Sequence, residues 1–426
     1  MSETGQVGVA VLNLGCRVNR VEIDLIANRL QRAGCSIVPK EQADAVVINT
    51  CAVTGEAQTK TRKAVRNAAR LPQAPVVVAT GCVANLFEEE LKGLAPGIVV
   101  EPDKARVPIR VLECLGRGED YLDDAGVLAV SPTPTGRMRP GVKIQDGCDN
   151  RCTYCIVWKA RGKGRSLESS AVVEAVRDAC ARKAHEVVLT GINLGSYHAP
   201  KGDPLGEGAG LDLLLARVLK VTDVECIRIS SIEPPDVTGE LLEVMASSGG
   251  RVAPFLHVCL QSGSDKTLRR MGRVYDTALF RDVVARARKT MPKIALGTDL
   301  IVGFPGETDE EFEESLAFCR EMEFARMHVF RYSKRPGTPA AIAPNQVEPS
   351  VSAQRSRRMR KLAQAMREQE MSKLVGEVEQ VLVQSTGRAI SAALFDVSVD
   401  PRLPVGELAR VRYTCVSDGH LCAIMV

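Results

Sequence analysis

The chain has 426 residues, too many for one ordinary domain and enough for two or three. Hydrophobic residues make up 45% and charged residues 25%, which argues against extended disorder, and a net charge of +4 permits a nucleic-acid partner without requiring one. The opening MSETGQVGVA lacks the basic start and apolar run of a signal peptide, and no stretch of about 18 apolar residues occurs. The expectation is therefore a cytoplasmic protein with no membrane contact. Fourteen cysteines in a chain of this length are too sparse for a disulfide scaffold. In a reducing compartment, clustered cysteines point to metal binding or catalysis.

In chain order, VGVAVLNL (7–14), ADAVVINT (43–50) and APVVVAT (74–80) read as buried strands. Helical patterns over about 21–33 and 56–70 separate them, so the fold class is α/β, opening with a parallel α/β domain over 1–128. Each strand runs into a cysteine: Cys16, Cys51 and Cys82. Ligands of open parallel sheets sit beyond the carboxyl ends of the strands, where three cysteines distant in sequence can converge.

SPTPTGRMRPG (131–141) has no hydrophobic period and marks a linker. Beyond it, strand-like segments recur with helical patterns between most of them: 142–145, 186–191, 226–231, 255–261, 295–303 and 327–332. Six such units predict an open (β/α)6 barrel over 129–372, with its site at the carboxyl ends of the strands. A basic helical stretch from about Ser352 to Lys373 closes this region. Short strands separated by Gly387, Gly406 and Gly419 then predict a small antiparallel β-barrel over 373–426.

CDNRCTYC places Cys148, Cys152 and Cys155 at C-x3-C-x2-C spacing just after a predicted strand. Three thiolates on one loop can each ligate one iron of a cubane and leave the fourth without a protein ligand. A structural zinc site is normally closed by four ligands, and this loop offers no fourth Cys or His. The triplet, with Tyr154 before its third cysteine, resembles the radical S-adenosylmethionine superfamily. The resemblance implies a 4Fe-4S cluster whose open iron is chelated by S-adenosylmethionine, and reductive cleavage to a 5'-deoxyadenosyl radical. Segments resembling that superfamily's cofactor-binding strand ends contain Thr190, Gly191 and Asn193; Ser230, Ser231 and Glu233; Gln261 and Ser262; and Asp299, Gly303 and Glu307. The structural alternative for each is a barrel strand ending in a turn.

A lone cysteine after a strand is usually a small buried hydrophobe, but three at corresponding strand ends are harder to dismiss. LGCRVN, NTCAVT and TGC ahead of the triplet, together with KIQDGC, ARG (160–162) and a terminal TRAM-type barrel, resemble the methylthiotransferase family. The resemblance implies that Cys16, Cys51 and Cys82 hold a second, auxiliary 4Fe-4S cluster that presents sulfur. It also implies that S-adenosylmethionine serves as both methyl donor and radical source. The remaining cysteines, Cys35, Cys114, Cys180, Cys226, Cys259, Cys319, Cys415 and Cys422, read as packing residues.

Within that family, LGCRVNRVE with NTCAVTGEAQTKTR is similar to the branch that adds methylthio to C2 of threonylcarbamoyladenosine beside the tRNA anticodon. Implied partners are the anticodon stem-loop, a reducing protein such as flavodoxin or ferredoxin, and a sulfur source. Other readings are an isopentenyladenosine tRNA, a ribosomal-protein aspartate, or a non-catalytic tRNA-binding protein with a structural metal. Lys63, Arg66 and Arg70 on one helical face, and Arg355, Arg357, Arg358, Arg360 and Lys361, offer phosphate contacts; a solvated face is the plainer alternative. The terminal barrel is mildly acidic, a departure from an RNA-binding TRAM domain. IVWKARG departs from the IPYARG-like sequence of relatives, leaving Trp158 either to stack on a ligand or to pack over the cluster loop.

Overall fold

The computed structural model describes residues 7–118 and 138–426, so the expected boundary at 128/129 and most of the linker lie outside the described residues. In the amino-terminal region, β1 (Gly8–Asn13), β2 (Ser36–Ile37), β3 (Ala45–Thr50), β4 (Val76–Gly81) and β5 (Ile98–Val100) form one sheet. Its order is β2-β1-β3-β4-β5 and every pairing is parallel. Helices α1 (Arg17–Arg32), α2 (Gly55–Ala69), α3 (Cys82–Leu86), α4 (Glu88–Lys92) and α5 (Val107–Cys114) cover it, because β3 and β4 are apolar on both faces. The order reverses at β1, so a topological switch point lies between the carboxyl ends of β1 and β3.

The central region begins with β6 (Gly141–Lys143), the two-residue strands β7 (Gln145–Asp146) and β8 (Arg165–Ser166), and between these two α6 (Val157–Arg161). Then follow α7 (Ser169–Ala181), β9 (Glu186–Thr190), α8 (Leu211–Val221), β10 (Cys226–Ile229), α9 (Gly239–Ser247) and β11 (Phe255–His257). The series closes with α10 (Asp265–Met271), α11 (Thr277–Thr290), β12 (Ala295–Val302), α12 (Asp309–Met322), β13 (Arg326–Arg331), α13 (Pro339–Ile342) and α14 (Pro349–Ser372). Strands β6, β9 and β10 pair in parallel, as do β11, β12 and β13, and parallel bridges Ile227–Val252 and Ile232–Val258 join the two halves. The predicted open six-stranded barrel is thus present. Alternation along the strands splits its wall: Val187, Leu189, Ile227, Ile229, Leu256, Leu300 and Val329 pack under the helices. Glu186, Thr190, Arg228, Ser230, His257, Asp299, Arg326 and His328 occupy the alternate, lumenal positions.

The last region is a closed barrel of β14 (Val378–Ser385), β15 (Arg388–Ile390), β16 (Asp396–Ser398), β18 (His420–Met425) and β17 (Leu408–Ser417). The expected small antiparallel barrel is present: four of its five pairings are antiparallel, and β16 and β18 pair in parallel. Its core includes Val381, Phe395 and Leu421 and continues onto Phe255, Ala295 and Ala325, at or beside the starts of β11, β12 and β13. The small barrel therefore closes the floor of the six-stranded barrel, opposite the strand ends that carry the cysteine loop. No helix among the described residues is long and apolar enough to cross a membrane.

Candidate active site between two cysteine trios

Cys16 caps the start of α1, Cys51 follows β3 and Cys82 opens α3 after β4. A polar web ties these three strand ends together. Asn19 donates to the Thr50 carbonyl at 2.8 Å, Asn49 donates to the Asn19 carbonyl at 2.8 Å, and Thr50 Oγ1 donates to the Thr80 carbonyl at 2.6 Å while accepting from Val83 N at 3.1 Å. Gly81 is required at φ +94°, where a Cβ would lie 2.4 Å from Asn49 Oδ1. The three thiols act on one another electrostatically. Burial pushes Cys51 up to about 11, and its two neighbouring thiols add to this. Cys16 is exposed, yet desolvation raises its pKa, as expected of a thiol facing an enclosed chamber.

The second trio lies on the loop between β7 and α6. Cys155 Sγ accepts from Val157 N at 3.4 Å, and burial raises its thiol to about 12. Arg273, which sequence reading missed, donates to Cys152 Sγ at 3.0 Å and contacts Glu233 at 2.6 Å; Glu233 in turn accepts from Asn150 of the loop at 3.1 Å. Among the described residues, neither trio has all three of its sulfurs within 4.8 Å of one another, the spacing of ligands on a single ion. Ligands on separate irons of a cubane stand farther apart, so both donor sets fit a cluster better than a zinc ion.

The predicted cofactor residues divide. Asn193 Oδ1 and Ser230 Oγ are buried with no hydrogen-bond partner, as a ligand's contacts would be before it binds. Gln145 holds that strand end by accepting from Ile192 N at 3.0 Å and Asn193 N at 2.9 Å. Thr190 and Asp299 are on the lumenal row, Ser231 is exposed, and Gln261 is held at φ +65° beside Leu300. Gly191 approaches Gln145 so closely that a Cβ would lie 3.0 Å from its side chain. Ser262 meets Ser315 of α12 at 3.3 Å, and Gly303 N donates to Glu307 while its Cα abuts Ser352 of α14. Ser262 is turned to the helix layer by strand alternation, whereas Gly303 follows the end of β12 at φ +71°. Tyr154 packs edge-on against Phe304 at 6.3 Å.

Lumenal positions also hold His257 and His328, unflagged by sequence, whose nitrogens approach Asp299 Oδ1 at 3.1 and 3.0 Å. Among the described residues this is the one convergent His/Cys/Asp/Glu triplet. Arg326 Nε donates to His328 Nε2 at 3.2 Å, which leaves Nδ1 to carry the proton donated to Asp299. The histidine is thereby committed to a hydrogen-bond relay rather than to a metal. Burial raises the Asp299 pKa, but the two histidines outweigh it and keep the group well below the usual carboxylate range.

Buried polar contacts fix the trios' two domains against each other. Arg161, one turn past the cluster loop, donates to Glu22 at 2.7 and 3.1 Å, to Asp146 at 2.9 Å and to Asn19 at 2.7 Å. Arg335 donates to the Ala52 carbonyl at 3.2 Å and to Gln58 at 2.9 Å, and Asn85 to the Ala160 carbonyl at 2.7 Å. Trp158 packs over the cluster loop, with Arg151 4.5 Å above its ring. Of the residues offered for phosphates, Lys63 and Arg66 are exposed on α2 and Arg70 is exposed at its carboxyl-terminal cap. Arg355 is instead buried on Glu307 and Asp309, Arg358 pairs with Glu313, and Arg360 donates to the Val329 carbonyl. Cys114 and Cys415 are exposed, against the packing expectation.

Comparison with known proteins defines the class first. Residues 142–319 match the radical SAM superfamily, and residues 8–100 match a family described as uncharacterized protein family UPF0004. A radical S-adenosylmethionine methyltransferase, TsrM, from Kitasatospora setae, solved with cobalamin and a 4Fe-4S cluster, shares the fold over 79% of this chain and 77% of its own, with TM-score 0.56 and 16% identity. Threonylcarbamoyladenosine tRNA methylthiotransferases of Thermotoga maritima and Bacillus subtilis are 33% and 35% identical; each alignment covers 88% of this chain, and 86% and 84% of those proteins. A ribosomal protein uS12 methylthiotransferase of Desulforudis audaxviator is 34% identical over 82% of this chain and 79% of its own. The chain belongs to the methylthiotransferase family of radical S-adenosylmethionine enzymes, which use a 4Fe-4S cluster and S-adenosylmethionine.

Proposed function

We propose that this enzyme adds a methylthio group to C2 of threonylcarbamoyladenosine beside the tRNA anticodon. One cluster is held by Cys148, Cys152 and Cys155, and a second by Cys16, Cys51 and Cys82. The observation that carries the reading is the pair of cysteine trios on two domains locked together by Arg161, with a polar lumen alongside. A single radical centre accounts for hydrogen abstraction alone; a second trio supplies a place for sulfur.

When bound, the first cluster and S-adenosylmethionine supply a carbon radical able to open an unactivated C–H bond. The chain's own residues do the positioning. Arg273 and Glu233 hold the loop that carries the first trio, and Asn193 and Ser230 offer free polar atoms to the cofactor. Asn19, Asn49 and Thr50 keep the second trio at the switch point. Exposed Lys63, Arg66 and Arg70 offer phosphate contacts for the stem-loop. A soluble reducing protein such as flavodoxin or ferredoxin and a sulfur source complete the reaction, which we place in the cytoplasm.

The threonylcarbamoyl substrate is favoured over the isopentenyl one by the lumen, whose Arg, His and Asp side chains are unsuited to an apolar prenyl chain. The test is anaerobic reconstitution with iron and sulfide, followed by nucleoside mass spectrometry on stem-loops carrying each modified adenosine and by intact mass of ribosomal protein uS12. The methylthio mass is expected on threonylcarbamoyladenosine; its appearance only on one of the other two overturns the substrate reading.

A further inference from the structure

The floor of the lumen gathers an excess of positive charge with no assigned role. Arg228 lies on β10, fully buried; it pairs with Glu186 at 2.8 Å and donates to the Ala392 carbonyl at 2.6 Å. Arg139, just before β6, reaches the same Glu186 at 3.7 Å. Arg326 of β13 makes no ion pair among the described residues; its Nη1 touches the Leu394 carbonyl only at 3.5 Å.

A fourth guanidinium comes from the other domain. Arg17 follows Cys16 directly and stands one turn before Val21 on the same face of α1. Val21 packs on Gly141 of β6 so closely that a Cβ there would lie 2.4 Å from Val21 Cγ2. Arg17 has no hydrogen bond or ion pair among the described residues, and it feels Arg139, Arg228 and Arg326 with Glu186 as the anion. Four guanidinium groups around one carboxylate in an enclosed space call for an anionic occupant.

We propose that this floor is the binding site for the carboxylate of the substrate's N6 substituent, gripped by Arg17 and Arg326. The proposal rests on the threonylcarbamoyladenosine reading above and adds how that substrate is told apart. A phosphodiester is the poorer fit because the site is a dead end: the loop between β15 and β16 covers it, offering the carbonyls of Ala392 and Leu394. What reaches it is a substituent projecting from a base inserted into the lumen. The Arg326–His328–Asp299 relay orients the Arg326 fork from above.

The test is anaerobic binding of the holoenzyme, by fluorescence anisotropy, to three anticodon stem-loops. They carry adenosine, threonylcarbamoyladenosine, or its neutral carboxamide at the target. The wild type should bind the acid at least about tenfold more tightly than the carboxamide, the worth of a charge-assisted hydrogen bond. Arg326→Gln and Arg17→Gln should bring that ratio close to one while leaving the adenosine stem-loop unaffected, and Arg326→Lys should restore part of it. Equal wild-type affinity for acid and carboxamide overturns the proposal. So does an equal loss for all three RNAs in the glutamine variants, which marks a phosphate contact or a damaged fold. A wild type that binds the acid selectively yet leaves it without methylthio product overturns the functional reading instead, and the product assay shows that separately.

Discussion

Arg161 places four hydrogen bonds from one buried guanidinium, three across the two domains on Glu22 and Asn19 and one on Asp146 of its own domain. Arg161→Ala leaves both carboxylates without this partner and should cost about 3–5 kcal/mol in chemical denaturation. Burial raises the Glu22 carboxyl, but Arg161, Lys104 and Lys143 prevail and bring it from 4.5 down to about 2. A folded-state pKa below the unfolded one stabilises the fold fully above about pH 4.5, and this contribution is lost as pH falls toward 2. Acid unfolding of Glu22→Gln should show a shallower pH dependence across that window; an unchanged slope would remove Glu22 from the account. The ARG motif was legible in the sequence, but Glu22 stands 139 positions away, and nothing local marks it as the partner. Arg273 was equally hidden, because its tie to Cys152 spans 121 positions.

Helix α1 approaches the barrel edge most tightly at Gly141 of β6. In Gly141→Ala the new methyl would collide with Val21, a stiff β-branched side chain, and force α1 away from β6. The expected cost is about 1–3 kcal/mol, read as a lower midpoint of thermal unfolding in the apo-protein. Most elements were readable from hydrophobic runs: the six barrel strands and three of the amino-terminal strands emerge where expected. The two-residue β2 and three-residue β5 carry too short a pattern to stand out, and ISAALFDVSV divides at Leu394, which adopts φ +61°, into β15 and β16. The basic run on α14 misled for a different reason. Charge density in sequence does not reveal that Arg355 and Arg358 face the acidic start of α12.

At the scale of the whole molecule, the two trios should be separable in function. Cys152→Ala is expected to abolish 5'-deoxyadenosine formation, whereas Cys51→Ala should retain it and lose methylthio product, both followed by chromatography of the small-molecule products and nucleosides. Strand-end cysteines were visible in the sequence because a parallel sheet delivers its strand ends to one side; the domain contacts that lock the trios in place were not, since they depend on side chains from α1, α3 and α6. The same is true of the arginine floor, assembled from β10, β13, the segment before β6 and a helix of the other domain. The central claim is that two clusters serve one tRNA adenosine. It is tested most directly by mass spectrometry of a threonylcarbamoyladenosine stem-loop after turnover with protein reconstituted anaerobically. The account predicts an added methylthio group at C2, with iron and sulfide for two 4Fe-4S clusters per chain; S-adenosylmethionine cleavage with an unaltered nucleoside and iron for a single cluster would contradict it.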